Sequence, residues 1–161
     1  MVSVEDYLRR TEKPYCEYVD GVLYSKAMPT TLHGLVQFML QLLLRQQGVQ
    51  AAGEVQVRLS PTKYLIPDVI AAAKLQHPYP TDAVLLCVEI LSPEDRVGAM
   101  LAKCEQYHYW GVPFCWVIDP EKQTGWQYHA GNEPERVERG GTLTAGELSV
   151  RLEDLFSDRT V

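Results

Sequence analysis

The 161-residue chain has a length and composition typical of one globular domain, with 46% hydrophobic residues, 22% charged residues and a net charge of −6. The negative balance counts against strong non-specific binding to polyanions, because that affinity comes from Lys and Arg neutralising phosphates. The longest apolar stretch, residues 35–44, is about half of the roughly 20 residues that span a bilayer. Residues 1–10 have no apolar signal-peptide core. We therefore expect a single domain over residues 1–161, located in the cytoplasm and without membrane contact.

The first part of the chain predicts a helix, a hairpin and a longer helix. Ser3 can cap a short helix that ends by Pro14. Residues 15–24 alternate around the turn dipeptide Asp20-Gly21, which predicts two short paired strands. Residues 31–47 repeat apolar side chains at spacings of three and four, which predicts a long amphipathic helix.

The second part predicts strands around another helix. Strand-like runs cover residues 54–59, 64–73 and 83–91, and the last two are apolar enough for the centre of a sheet. Ser92-Pro93 opens a helix that reaches Trp110. Further strands are predicted at 114–118 and 126–129, and a strand and short helix within 140–161. The pattern predicts an α/β fold, in which a mixed β-sheet is flanked by helices.

Two carboxylates stand out because they lie in apolar runs. Asp68 follows Pro67 in the second run, and Glu89 lies within the third. A buried carboxylate is costly unless it is paired, protonated or bound to metal. Two carboxylates on adjacent strands would repel each other, which would raise the pKa of at least one of them, unless a divalent cation lies between them. Either residue alone would more often be a salt-bridge partner or strand-end cap, so the pair carries the hypothesis of a Mg²⁺ site.

Lys103 lies on the helix after Glu89, at the edge of its apolar face. From there it could reach over the sheet and stabilise charge on a phosphate. The commoner alternative for a single lysine is a surface position with its stem along apolar residues. Other basic residues that could line a cleft are Arg58, Lys63, Lys26 and Arg96, and three aromatic residues, Trp116, Tyr107 and Tyr109, are assigned to packing.

Several short motifs occur in a fixed order: Glu17-Tyr18-Val19-Asp20-Gly21, Ile66-Pro67-Asp68-Val69, Val88-Glu89-Ile90-Leu91-Ser92-Pro93, and Trp116-Val117-Ile118-Asp119-Pro120. With these motifs in this order, the chain resembles the Uma2 family of the PD-(D/E)XK nuclease superfamily, and the resemblance covers nearly its whole length. The resemblance implies a restriction-endonuclease-like core, Mg²⁺ or Mn²⁺ held by Asp68 and Glu89, and hydrolysis of phosphodiester bonds in DNA. It also implies that Lys103 replaces a superfamily lysine expected at Leu91, and that Glu17 adds a further acidic group.

Two residues near these motifs remain open to more than one interpretation. His33, at the start of the long helix, matches a position of the family and could contact substrate, but a capping or packing role is equally consistent with its position. Asp20 is assigned to the Asp-Gly turn and not to a metal.

Three functions follow as hypotheses. The first is a metal-dependent endodeoxyribonuclease with Asp68, Glu89, Lys103 and Glu17 as catalytic residues. The second is a catalytically silent restriction-endonuclease-like domain with a binding or structural role, suggested by the negative charge and by Leu91. The third is a glycoside hydrolase whose acid and base, Asp68 and Glu89, would stand roughly 5 to 9.5 Å apart. Homodimers with two-fold symmetry are the commonest oligomers of soluble proteins, and a homodimer is therefore a plausible assembly for this chain.

Overall fold

Four helices and three β-sheets form residues 1–156, the part of the chain that the computed structural model describes. The helices are α1 (Val4–Arg9), α2 (Thr31–Arg45), α3 (Val97–Trp110) and α4 (Leu152–Leu155). The strands are β1 (Cys16–Val19), β2 (Val22–Ser25), β3 (Gln50–Gly53), β4 (Val57–Ser60), β5 (Lys63–Leu65), β6 (Val69–Ala72), β7 (Leu86–Ile90), β8 (Phe114–Asp119), β9 (Thr124–His129), β10 (Glu135–Val137), β11 (Thr142–Ala145) and β12 (Leu148–Arg151). Residues 157–161, the end of the predicted tail, lie outside the described part.

The central sheet has six strands in the order β10-β9-β8-β7-β6-β3. Its strands β7 and β8 are parallel and are connected by α3, while all its other neighbours pair antiparallel. An antiparallel sheet, β2-β1-β5-β4, and the β11-β12 hairpin complete the architecture. The prediction of an α/β fold with a mixed sheet and flanking helices is confirmed.

Helices α2 and α3 pack on opposite faces of the central sheet. Successive side chains of a strand point to opposite faces. In β7, Val88 accordingly joins the core that contains Leu40 of α2, whereas Cys87 joins the core that contains Tyr107 of α3. Glu89 lies two positions after Cys87 in the same strand. Its side chain therefore points to the same face of the sheet, toward α3.

The predicted strand over residues 64–73 is divided, and Asp68 is not inside a strand. Its first part is β5 of the four-stranded sheet and its second part is β6 of the central sheet. Pro67 has no N–H for a strand ladder, and the N–H of Ile66 donates to Glu17 Oε2 at 2.6 Å instead. Residues 66–68 therefore form an irregular bridge between two sheets, which places Asp68 where those sheets meet.

Other boundaries differ for local reasons. The strand predicted at 54–59 begins only at Val57, because Glu54 adopts the left-handed φ of 57° after β3. The helix predicted from Ser92-Pro93 begins at Val97, because Ser92 and Asp95 close a turn through two reciprocal hydrogen bonds of 2.9 Å. The strands β3 and β10 were not predicted, since the first has the sequence Gln-Ala-Ala-Gly and the second is a three-residue edge strand. The tail was predicted to add one strand, but it forms the two-stranded β11-β12 hairpin.

The predicted hairpin and two of the three aromatic residues assigned to packing agree with the structure. Asp20 and Gly21 both have positive φ, 48° and 89°, which fits the two-residue turn between β1 and β2. Trp116 and Tyr107 are fully buried, as predicted, but Tyr109 is 97% exposed and its assignment to packing is wrong. Within residues 1–156, the helices are all too short or too polar to cross a bilayer.

Candidate active site

One cavity brings the five predicted site residues together. It has a volume of about 100 Å³ and lies where β1, the 66–68 bridge, the end of β7 and α3 meet. The predicted residues that line it are Glu17, His33, Asp68, Glu89 and Lys103. They are joined by Ser25, Lys26, Ala27, Ile90, Ser92, Asp95 and Met100. Of the four basic residues considered for a cleft, Lys26 is the one found among the described residues that line this cavity.

Asp68 is buried and held on both carboxylate oxygens. Oδ1 lies 2.9 Å from Nζ of Lys26 and 3.4 Å from Nε2 of His33, while Oδ2 accepts a 2.7 Å hydrogen bond from the N–H of Ile90. Burial alone would raise the pKa of Asp68, but the His33 hydrogen bond, the Lys26 ammonium and the Ile90 N–H outweigh it. The pKa of Asp68 is held well below its usual value, so this residue is ionised at neutral pH.

Glu89 is buried on the α3 side of the sheet and behaves in the opposite way. Its Oε2 accepts a 2.6 Å hydrogen bond from the hydroxyl of Tyr107 and lies 3.4 Å from Nζ of Lys103. Burial raises the pKa of Glu89 to about 7, with Lys103 opposing the rise and the charge of Asp68 adding to it. Near neutral pH the ionised carboxylate of Asp68 therefore lies in the same cavity as a Glu89 carboxyl group that is poised to lose its proton.

Lys103 lies between two acidic side chains and is not a surface lysine. Its side chain is 12% exposed, and Nζ is 2.6 Å from Oε2 of Glu17 and 3.4 Å from Oε2 of Glu89. Burial would lower the pKa of Lys103, but Glu89 and Glu17 raise it, so the ammonium stays charged. The same Glu17 oxygen accepts the Ile66 N–H. Glu17 thereby connects the lysine to the bridge that positions Asp68.

The network around Asp68 also includes Gln37 and Glu54, which were not identified from the sequence, and Lys26, which was considered only as a residue that could line a cleft. Lys26 Nζ donates to Asp68 Oδ1 and, at 2.6 Å, to the carbonyl of Ile66, and it lies 3.5 Å from Oε2 of Glu54. Gln37 Nε2 donates to Glu54 Oε1 at 3.2 Å and to the Asp68 carbonyl at 2.7 Å. Gln37 could have been singled out in the sequence, because it interrupts the apolar residues of the predicted helix. Lys26 and Glu54 give no comparable signal, since each follows a short strand like many surface residues.

A divalent cation in this cavity would depend on the oxygen ligands that the lining residues supply. Within residues 1–156, no three or more His, Cys, Asp or Glu side chains are grouped so that they could hold a metal ion. Mg²⁺ is commonly bound by one or two carboxylates, with waters and phosphate oxygens completing its shell, so Asp68 and Glu89 suffice chemically. The contacts described above to Glu89 and Glu17 all use Oε2, and none uses Oε1. The residues fit a hard cation, provided that it shares or displaces the ammonium of Lys26 at Asp68.

The sugar-cleaving hypothesis predicts an open groove with aromatic walls. None of the residues that line this cavity in the described part of the chain is Phe, Tyr or Trp. The cavity volume of about 100 Å³ is also small beside the 300 to 1,000 Å³ common for ligand pockets. The structure thus offers no observation that favours glycoside hydrolysis.

Comparisons with known proteins bear on the family and the fold. The chain matches the model of the Uma2 family, whose description is "Putative restriction endonuclease", over residues 4–157. A crystal structure described as that of "a putative nuclease belonging to DUF820", from Anabaena variabilis, has the same fold, with a TM-score of 0.78 and 22% identity over 98% of each chain. None of the curated proteins compared with the chain matches it significantly. With a family match that extends over nearly all of its length, the chain belongs to the Uma2 family.

Proposed function

We propose that residues 1–161 act as a single nuclease-like domain, a Mg²⁺- or Mn²⁺-dependent endonuclease that hydrolyses phosphodiester bonds in DNA. The observation that supports it is the convergence of Asp68, Glu89 and Lys103 in one buried cavity. The surrounding network contains four carboxyl groups, from Glu17, Glu54, Asp68 and Glu89, against the ammonium groups of Lys26 and Lys103 and the imidazole of His33. With all four carboxyl groups ionised, the network has more negative than positive groups, which favours binding of a further cation.

Asp68 and Glu89 would hold the metal. A bound divalent ion supplies an activated water near neutral pH and polarises the phosphoryl oxygens. Asp68 is already ionised, and its orientation is fixed by the Ile90 N–H and by His33. Glu89 is oriented by the hydroxyl of Tyr107. The two ligands are therefore held in place by hydrogen bonds before any substrate arrives, which is the preorganisation that catalysis requires.

Lys103 and His33 would act on the substrate. The Lys103 ammonium is held by Glu17 at the cavity wall, where it would stabilise negative charge that develops on the phosphate under attack. Nδ1 of His33 is buried and has no hydrogen-bond partner among residues 1–156, while Nε2 faces Asp68. An unpaired buried nitrogen is costly, and a contact to substrate at Nδ1 would satisfy it. Glu17 would act through Lys103, as a positioning residue.

Cleavage of plasmid DNA tests the proposal. Purified protein with Mn²⁺ should nick or linearise plasmid, and Asp68→Asn and Glu89→Gln should each reduce the rate by about 100-fold or more, as expected for loss of a group that stabilises the transition state. Glu121→Gln removes one carboxylate from an exposed turn and should cut like the wild type. Equal cleavage by the wild type and Asp68→Asn would refute the assignment, because the activity would then come from elsewhere.

The catalytically silent alternative is favoured by one specific feature. Lys26 and Lys103 already neutralise part of the acidic cluster, so the network could be a self-compensated polar core. Calorimetric titration with Mn²⁺ separates the two functions. Binding that is present in the wild type and in Glu121→Gln but lost in Glu89→Gln supports the nuclease, whereas no binding in any of them supports the silent domain.

A further inference from the structure

Helix α2 carries a second apolar stripe on the side that faces away from the sheet. Its members are spaced by three and four residues and are large: Leu35 (40% exposed), Phe38 (62%) and Leu42 (39%), flanked by Leu32 (38%) and, just before the helix, Met28 (74%). The core-facing side of the same helix uses a different set, Val36, Leu40 and Leu44, which is fully buried. A helix that is apolar on opposite sides is typical of a helix buried all round. Within residues 1–156, only one of those sides is covered.

The exposed stripe also lacks charge. Among the 15 residues of α2, Arg45 at the last position is the one Lys, Arg, Asp or Glu. The whole molecule carries a net charge of −6, so two copies repel each other over most of their surfaces. The α2 stripe is a surface on which two such molecules can approach without placing like charges in contact. That property favours a second copy of the chain as the occupant.

We propose that two copies of the chain form a two-fold dimer through this stripe, with the two α2 helices antiparallel and the axis next to Phe38. A two-fold interface pairs one surface with itself, so the stripe must be self-complementary about its centre. With the axis next to Phe38, Phe38 faces the partner's Phe38, and Leu35 lies within one position of being opposite the partner's Leu42. Arg45 lies opposite the partner's Thr31. A parallel pair would instead bring the two Arg45 guanidinium groups together.

The exposed area is consistent with the centre of such an interface. Taking about 200 Å² for a fully exposed large side chain, the exposed fractions of the five apolar residues amount to roughly 500 Å² per protomer. A standard interface takes about 800 Å² from each partner. The stripe would therefore supply about 60% of the buried surface, as an apolar centre whose polar rim comes from neighbouring residues. The inference stands on this surface alone and not on the proposed nuclease activity.

Sedimentation or light scattering across a concentration series tests the dimer. The wild type should have twice the monomer mass of 18.2 kDa, and Phe38→Glu should be monomeric, with dimerisation weakened by at least about 30-fold as for loss of a central anchor. Tyr109→Glu is the matched control, because it places the same charge at an exposed aromatic position on α3, and it should remain dimeric. Unchanged circular dichroism in Phe38→Glu would show that the fold is retained. A monomeric wild type, or a dimer that survives Phe38→Glu, overturns the proposal.

A cysteine variant tests the geometry separately. The four native cysteines are buried, so the wild type should give no disulfide-linked dimer under mild oxidation. Phe38→Cys would place two thiols at the proposed axis and should give a covalent dimer that dithiothreitol reverses. Tyr109→Cys, at an exposed position on α3 and away from the proposed axis, serves as control and should stay monomeric on a denaturing gel. Equal cross-linking of the two variants would exclude this arrangement.

Discussion

Replacing Glu89 by Gln should make the metal-free protein more stable above pH 7, and this effect can be worked out from the site. The folded pKa of Glu89 is raised from 4.5 to about 7, mainly by burial. The folded state therefore holds this proton more tightly than the unfolded state. The resulting stabilisation is fully present below about pH 4.5 and is lost as pH rises through about 7. At 1.36 kcal/mol per pKa unit, the loss amounts to about 3 kcal/mol.

Gln has no proton to lose in this range, so the variant should escape the loss. Its side-chain carbonyl can still accept the hydrogen bond from Tyr107. For a domain of this size, 1 kcal/mol shifts Tm by about 2 to 4 °C. Because part of the loss has already occurred at pH 5, the difference in Tm between variant and wild type should grow by roughly 5 to 10 °C from about pH 5 to about pH 8.

Thermal unfolding in EDTA over this pH range is the assay. Asp68 has a lowered folded pKa, so its contribution is present above its unfolded value of 3.8 and is lost only at lower pH, outside the range. His33 has a raised pKa, but it is present in both proteins, so its contribution to the pH dependence largely cancels in the difference. Glu121→Gln should follow the wild type. Parallel Tm curves for Glu89→Gln and the wild type would show that Glu89 is not buried in its neutral form.

Two further changes probe the same network. Asp68→Asn leaves the buried ammonium of Lys26 without its closest charged partner, and should cost about 3 to 5 kcal/mol in urea unfolding at pH 7. Adding Lys26→Met to Asp68→Asn should recover part of the lost stability. If the losses of the two single variants simply add in the double variant, the direct pairing of Lys26 with Asp68 is contradicted. Tyr107→Phe removes the hydroxyl that donates to Glu89 and should cost about 1 to 3 kcal/mol. It should also move the steep part of the pH dependence to higher pH, because the ionised form of Glu89 loses a donor; an unchanged midpoint would refute this.

Local features of the sequence identified the main acidic residues and the long helices. Asp68 and Glu89 could be singled out because a charge among apolar neighbours is visible without knowledge of the fold, and its cost in a buried strand is large. Helix α2 was predictable because a period of 3.6 residues is a property of the chain itself. The order of the short motifs, including Ile66-Pro67-Asp68-Val69, indicated the family that the family model then identified.

The partners of those residues depended on contacts between distant parts of the chain. Lys26 pairs with Asp68 across 42 positions and Lys103 with Glu17 across a larger span, and no local pattern encodes such a meeting. The sequence suggested one strand through Asp68, but the hydrogen bond from Ile66 to Glu17 helps to fix a bridge between two sheets there.

The two apolar sides of α2 show the same division between sequence and tertiary structure. The sequence contains both the stripe of Val36, Leu40 and Leu44 and the stripe of Leu35, Phe38 and Leu42, and periodicity alone does not rank them. The central sheet covers only the first. Hydrophobic burial depends on which surfaces the chain brings together, and not on the apolar character of a residue alone. The sequence therefore determined which side chains require burial or neutralisation, whereas the tertiary structure decided which groups provide it.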